Sequence, residues 1–127
     1  MKGLIIDEPW VSMITAGKKT WEMRSLNTSV RGRIALIKKG SLTIVGVADL
    51  IDTRPELSPA ELKANVEKHG VPESRIGDNF RHSTAWLLER AQPLREAVPY
   101  RHPPGAVIWV NLDAAVSAAI EAQLTDS

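Results

Sequence analysis

Gly17-Lys18-Lys19-Thr20-Trp21-Glu22-Met23-Arg24 places a glycine, two lysines and an alternating charged and apolar run in eight consecutive residues. Upstream, Glu8-Pro9-Trp10-Val11-Ser12-Met13-Ile14 reads as one short helix over about 9–16. Pro9 suits its first helical position and Gly17 the left-handed stop after its last turn. On the strand that follows, alternate side chains share a face. Thr20, Glu22 and Arg24 therefore point one way, and Trp21 and Met23 point the other, into the core. Lys19 has the wrong parity to join Glu22 and Arg24 unless the strand entry is rotated at Gly17 or by a bulge.

The order of helix, glycine and charged strand, with Gly17, Lys19, Glu22 and Arg24 in a Gly-x-Lys-x-x-Glu-x-Arg spacing, resembles the signature of the ASCH domain. Arg31-Gly32-Arg33-Ile34-Ala35-Leu36 is similar to the family's next strand. Ala85-Trp86-Leu87-Leu88, Val98-Pro99-Tyr100-Arg101 and Gly105-Ala106-Val107-Ile108-Trp109 are similar to its closing strands. The resemblance implies an α+β fold: a PUA-like β-barrel with flanking helices, related in shape to modules that bind RNA. Residues 1–127 then form a single ASCH domain, with a C-terminal helix at about 113–124 as an appendage. It also implies a cleft between barrel and first helix, lined by the motif positions.

A chain of 127 residues can bury a core without disulfides or metal staples, and with no cysteine it has neither disulfides nor a thiol nucleophile. Charge enters too early at the N-terminus for a signal peptide, and no apolar run approaches a membrane span, so the chain reads as soluble and cytoplasmic. Net charge is only +1 but unevenly placed. Lys18, Lys19, Arg24, Arg31, Arg33, Lys38 and Lys39 stand against Glu22 alone between residues 18 and 39. Such clustering suits a phosphate-facing patch, or else a set of solvated strand ends.

Further strands are expected at 32–38 and 42–50 as a hairpin turned at Lys39-Gly40-Ser41. Gly46 marks a bulge or a close backbone approach, another strand runs from Ser83 to Leu94, and Ala106–Val110 is a continuous apolar run expected to be central. Ser58-Pro59-Ala60-Glu61 is a helix start with a capping box, and that helix should stop at Gly70. Lys68 and His69 occupy its last turn, where cations are favoured. Val116 and Ile120 give the final helix one narrow apolar stripe.

A glutamate between Lys19 and Arg24 stays ionised and can accept from a base amino group or a ribose hydroxyl, while Arg24 offers a planar fork for phosphate or carboxylate. The same three residues could equally be an ion network in the barrel wall. Ser12, Trp86, Tyr100 and Arg101 are further candidates for the cleft, and Arg31 and Arg33 for the basic patch. Trp86 either stacks a nucleobase or belongs to the core. His82 and His102 lack a second ligand at metal spacing, so neither metal nor cofactor is assigned.

The leading function is RNA or nucleotide binding. A branch of small ASCH proteins hydrolyses the acetyl amide of N4-acetylcytidine with a lysine, a threonine two residues before the motif arginine, and a more distant glutamate. Here Lys19 matches the lysine, but the threonine position is Glu22. Thr20 stands elsewhere in the motif, and Glu56 and Glu61 are merely available. A third reading is RNA cleavage, with Lys19 stabilising charge and Tyr100 or His102 moving the proton.

Overall fold

The computed structural model describes residues 1–125. Six strands form one sheet: β1 (Lys2–Ile6), β2 (Trp21–Arg24), β3 (Gly32–Lys38), β4 (Thr43–Arg54), β5 (Thr84–Pro99) and β6 (Trp109–Asn111). Their spatial order is β2-β5-β4-β3-β1-β6, curled strongly into a half-barrel. All pairings are antiparallel except β1 with β3, which is parallel. Helix α1 (Trp10–Thr15) makes the crossover side of that parallel pair, and α4 (Ala114–Thr125) lies after β6. The whole is an α+β, PUA-like fold.

The apolar runs of β1 and β3 are continuous because both faces of these strands are covered. Leu4, Ile6, Ile34 and Leu36 pack with Val11 and Ile14 of α1. The alternate residues Ile5, Ala35 and Ile37 pack on the other face with Val110 and with Ile120 of α4. Val116 joins the same cluster, so the stripe expected of the final helix is the face it buries. A third cluster joins Trp21 and Met23 to Leu57, Leu62, Val71 and Ile76. Burying a side chain of this size is worth roughly 1.5–3 kcal/mol. The two ends of the half-barrel are therefore held by separate apolar clusters.

The β3–β4 hairpin forms, with register shifts between Leu36 and Ile37 and between Ile44 and Gly46. Gly46 serves both of its expected purposes: a Cβ there would stand 2.7 Å from the Gln92 carbonyl oxygen and 2.7 Å from Thr15 Cγ2. Ser58 and Glu61 form the capping box at the start of α2 (Pro59–Lys63).

Several expectations need correction. The 58–70 helix is broken into α2 and α3 (Val66–His69), because Asn65 turns its side chain back to the Glu61 carbonyl; Gly70, at φ 75°, ends α3. Pro9 is the residue before α1 rather than its first helical residue. The strand expected over Ser83–Leu94 continues to Pro99, passing through Arg90 at φ 51°. Only Trp109–Asn111 of the last apolar run is strand, and β6 is an edge rather than a central strand. Residues 103–108 are spent on a turn, which leaves Val107 76 % exposed.

Candidate functional site

Lys19 is 2 % exposed and Glu22 5 %, an unusual depth for charged residues. The chain reaches this arrangement through the stop of α1. Gly17, at φ 77°, donates to the Ile14 carbonyl, and the amides of Lys18 and Lys19 both donate to the Met13 carbonyl. Lys19 thus belongs to the post-helical turn, β2 begins only at Trp21, and strand parity does not govern its direction. Its ammonium donates to the His69 carbonyl, lies 3.6 Å from Glu22 Oε1 and sits 5.0 Å from the centre of a Trp10 ring.

Glu22 and Arg24 share a face of β2, as period two requires. Arg24 Nε and Nη2 both lie 2.9 Å from Glu22 Oε2. Nη2 also donates to the Ile5 carbonyl at 2.8 Å, tying β2 to β1 across the opening of the half-barrel. Burial pushes the Lys19 ammonium down to about 8, against the opposing pull of Glu22.

His69 is fully buried and is not the helix-end cation expected from its place in the last turn. Its Nδ1 accepts from the Val71 amide at 2.9 Å, so its Nε2 proton donates to the Leu62 carbonyl at 2.6 Å. Accepting at Nδ1 requires the neutral ring, and burial, with Lys19 nearby, pushes its pKa down against the pull of the Leu62 carbonyl. A folded pKa below the unfolded value of about 6.5 gives stability that is complete above that value and lost as pH falls. The unfolding free energy should therefore decline as pH drops from about 6.5 toward 5, by at most about 1.4 kcal/mol per pH unit from this group. An NMR titration in which the His69 ring protonates at its ordinary value would contradict this.

The charged trio opens onto a cavity of about 370 Å³ between β2 on one side and Ile5, Val107 and Ile108 on the other. That volume is at the lower end of small-molecule sites, which run to about 300–1,000 Å³. Trp10, Met23, Val71 and Phe80 supply apolar wall, and Asp7, Lys39, Arg75 and His82 add polar groups.

Of the residues proposed from sequence for the cleft, Lys19, Glu22 and Arg24 meet in this cavity, whereas Ser12, Thr20, Trp86, Tyr100 and Arg101 do not line it. Ser12 is exposed and donates to Glu8 Oε2 at 2.6 Å, serving its own helix. Thr20 is exposed and outside the cavity wall, its amide held by the Lys68 carbonyl. Trp86 is core: 1 % exposed, stacked on Trp109, its indole N–H given to the Leu26 carbonyl, so no base can reach its face. Tyr100 packs against the α4-side cluster and bonds to His102 at 2.9 Å, away from the cavity, and Arg101 is exposed beside it.

The basic run does not form one patch. Arg31 pairs with Asp52, Arg33 with Asp49 and Glu121, and Lys38 with Glu8. Arg24 and Lys39 reach the cavity with Lys19. Sequence reading missed Trp10, Asp7, Arg75, Phe80 and His82 as wall residues. The mixture of cations and an aromatic in the 75–82 segment, just before a strand, was the available signal. Among the described residues no cluster of three His, Cys, Asp or Glu side chains could hold a metal ion.

A sequence model of the ASCH domain matches residues 4–99. The chain belongs to the ASCH family. Among solved structures, the ASCH protein from Zymomonas mobilis superposes with a TM-score of 0.69 at 18 % identity, covering 95 % of this chain and 93 % of that one. A serine-to-alanine variant of the same protein gives 0.70 at 19 %, covering 95 % and 94 %. The YTH domain of the Zygosaccharomyces rouxii MRB1 protein, in complex with N6-methyladenosine RNA, gives 0.51 at 12 %, covering 95 % and 84 %. At such identities the likeness is one of fold. No curated protein sequence matches the chain. Among the described residues no helix is long and apolar enough to cross a membrane.

Proposed function

We propose that this ASCH domain, acting as a single unit over residues 1–127 in the cytoplasm, binds RNA by taking one nucleotide into the Lys19–Glu22–Arg24 cavity. The observation that carries this reading is the burial of Lys19 and Glu22 at the wall of a nucleotide-sized cavity. Burying charge is expensive, and a structural ion pair of this kind is often no better than an apolar replacement. Hydrogen-bonding groups held at that cost beside an aromatic wall suit a polar, flat ligand. Lys39 and Arg75 at the same cavity are cations without an ion-pair partner among the described residues, placed where phosphates would pass. The fold also occurs in a YTH domain solved with RNA, which supports the same class of partner.

The test is retardation of labelled single-stranded RNA over a salt series. Binding should weaken with salt, each neutralised phosphate contributing a slope of about −0.7 in log–log form. Failure of any single strand to bind at low salt would overturn the proposal.

A second reading, amide hydrolysis on an N4-acetylcytidine-type nucleoside, draws on Lys19: an amine brought down to about 8 can take a proton near neutral pH. The rest of that chemistry is poorly served. Thr20 is outside the cavity, and Glu22, held between two cations, is a weak nucleophile toward an amide. Acetylcytidine incubated in the same tubes should thus give little product. Robust turnover that survives Thr20→Ala and disappears in Glu22→Gln would make Glu22 a base for water and displace the binding reading. RNA cleavage through Tyr100 or His102 is disfavoured, since both lie away from the cavity.

A further inference from the structure

Lys19 and Glu22, which are buried, and Arg24, which is half-buried, differ in what they leave unused. Lys19 gives one N–H to the His69 carbonyl, and its approach to Glu22 Oε1, at 3.6 Å, is too long for a hydrogen bond. Glu22 Oε2 is taken by Arg24, whereas Oε1 has no hydrogen-bond donor among the described residues. Arg24 commits Nε and Nη2, and both Nη1 protons are without a partner among the described residues. Read across the cavity wall, the free groups are a donor, an acceptor and a donor. From this order we infer that Lys19, Glu22 and Arg24 read the imide edge of a uracil-type base, which presents acceptor, donor and acceptor at O2, N3–H and O4.

This inference rests on the proposed binding site and names its ligand class. The other bases match less well. Cytosine and adenine each present one amino donor beside ring acceptors, so Glu22 and one cation are satisfied and the second cation is not. Guanine has two adjacent donors, and one of them would face a cation. A polar site rejects a ligand that leaves its buried groups unpaired far more strongly than an apolar site rejects a poor fit. The carboxylate also discriminates by sign, because only a ring N–H can approach Glu22 Oε1 along the middle of the edge.

The decisive comparison uses the unmodified protein with three oligonucleotides of equal length: oligouridylate, oligocytidylate and oligo-N3-methyluridylate. Oligouridylate should bind about tenfold tighter or more than oligocytidylate, and N3-methylation, which replaces the central proton by a methyl group, should abolish that advantage. Uridine and cytidine 5′-monophosphates, run as competitors, tell whether a free nucleotide or a strand is the source of the base. A uridine preference in either arm supports the imide edge. Equal binding of uridylate and cytidylate, or of N3-methylated and unmethylated uridylate, would overturn this inference and leave RNA binding standing. Binding of none of them would overturn both. Arg24→Gln, measured together with thermal unfolding, should narrow the uridine preference, and the ligand series decides the matter even where that variant folds poorly.

Discussion

Arg24→Ala is expected to lower the unfolding free energy by about 3 kcal/mol, the loss typical of removing one partner from a buried ion pair. Two contacts disappear at once. Glu22 Oε2 loses both of its arginine N–H partners, leaving a carboxylate 5 % exposed with only an ammonium at 3.6 Å. The Ile5 carbonyl loses the donor that ties β2 to β1, at the place where the half-barrel does not close through backbone pairing. Urea denaturation of the parent and the variant measures the difference. A loss below about 0.5 kcal/mol, the size expected of an exposed pair, would mean that water takes over the role of the guanidinium.

That expectation departs from what the motif alone suggests, and the reason is instructive. In sequence, Lys19, Glu22 and Arg24 suit a ligand site and an ion network in the barrel wall equally well, and nothing local gives their depth. Residues far away in the chain share their cavity: Val71, Phe80 and His82, and Val107 and Ile108. No local pattern links Phe80 to Glu22. Lys19 reaches Glu22 in the way the sequence left open, through a rotated strand entry after Gly17, where two amides share the Met13 carbonyl.

The fold was more legible. The alternation of Trp21 and Met23 with Glu22, the Gly17 stop, the Ser58 capping box and the continuous apolar strands all reflect local rules that the structure obeys. Misplacement was confined to residues whose environment is set by topology. Ala106–Val110 is as apolar as a central strand, yet β6 pairs only with β1 and its apolar residues are used at the cavity mouth and the α4 interface. Trp86 was open to two readings because a tryptophan's sequence neighbours do not say which face of the strand is covered; stacking on Trp109, a residue of the far edge strand, makes it core. The basic run from 18 to 39 dispersed because acidic partners for Arg31 and Arg33 arrive from β4 and α4.

Lys19→Met should separate binding from folding more cleanly than any other single change. Methionine fills a similar volume, and Glu22 keeps its two contacts from Arg24, so the variant avoids the cost of a desolvated ammonium and loses one hydrogen bond to the His69 carbonyl. These effects oppose each other, and stability at neutral pH should stay within about 1 kcal/mol of the parent. RNA affinity at low salt should fall by about tenfold to a hundredfold, the range for a charge-assisted hydrogen bond of about 1.5–3 kcal/mol. The pH dependence gives a second and independent check. With a folded pKa of about 8 against an ordinary 10.5, Lys19 releases its proton in the folded chain before it does in the unfolded one. The unfolded state then binds more protons between those values, so the Lys19 contribution to stability rises with pH across that window. Binding should move the opposite way, weakening above about pH 8 as the ammonium is neutralised. In Lys19→Met neither trend should remain. Binding that is unchanged in the variant, or that persists undiminished in the parent at pH 9.5, would place the RNA contact elsewhere and leave Lys19 as a structural residue.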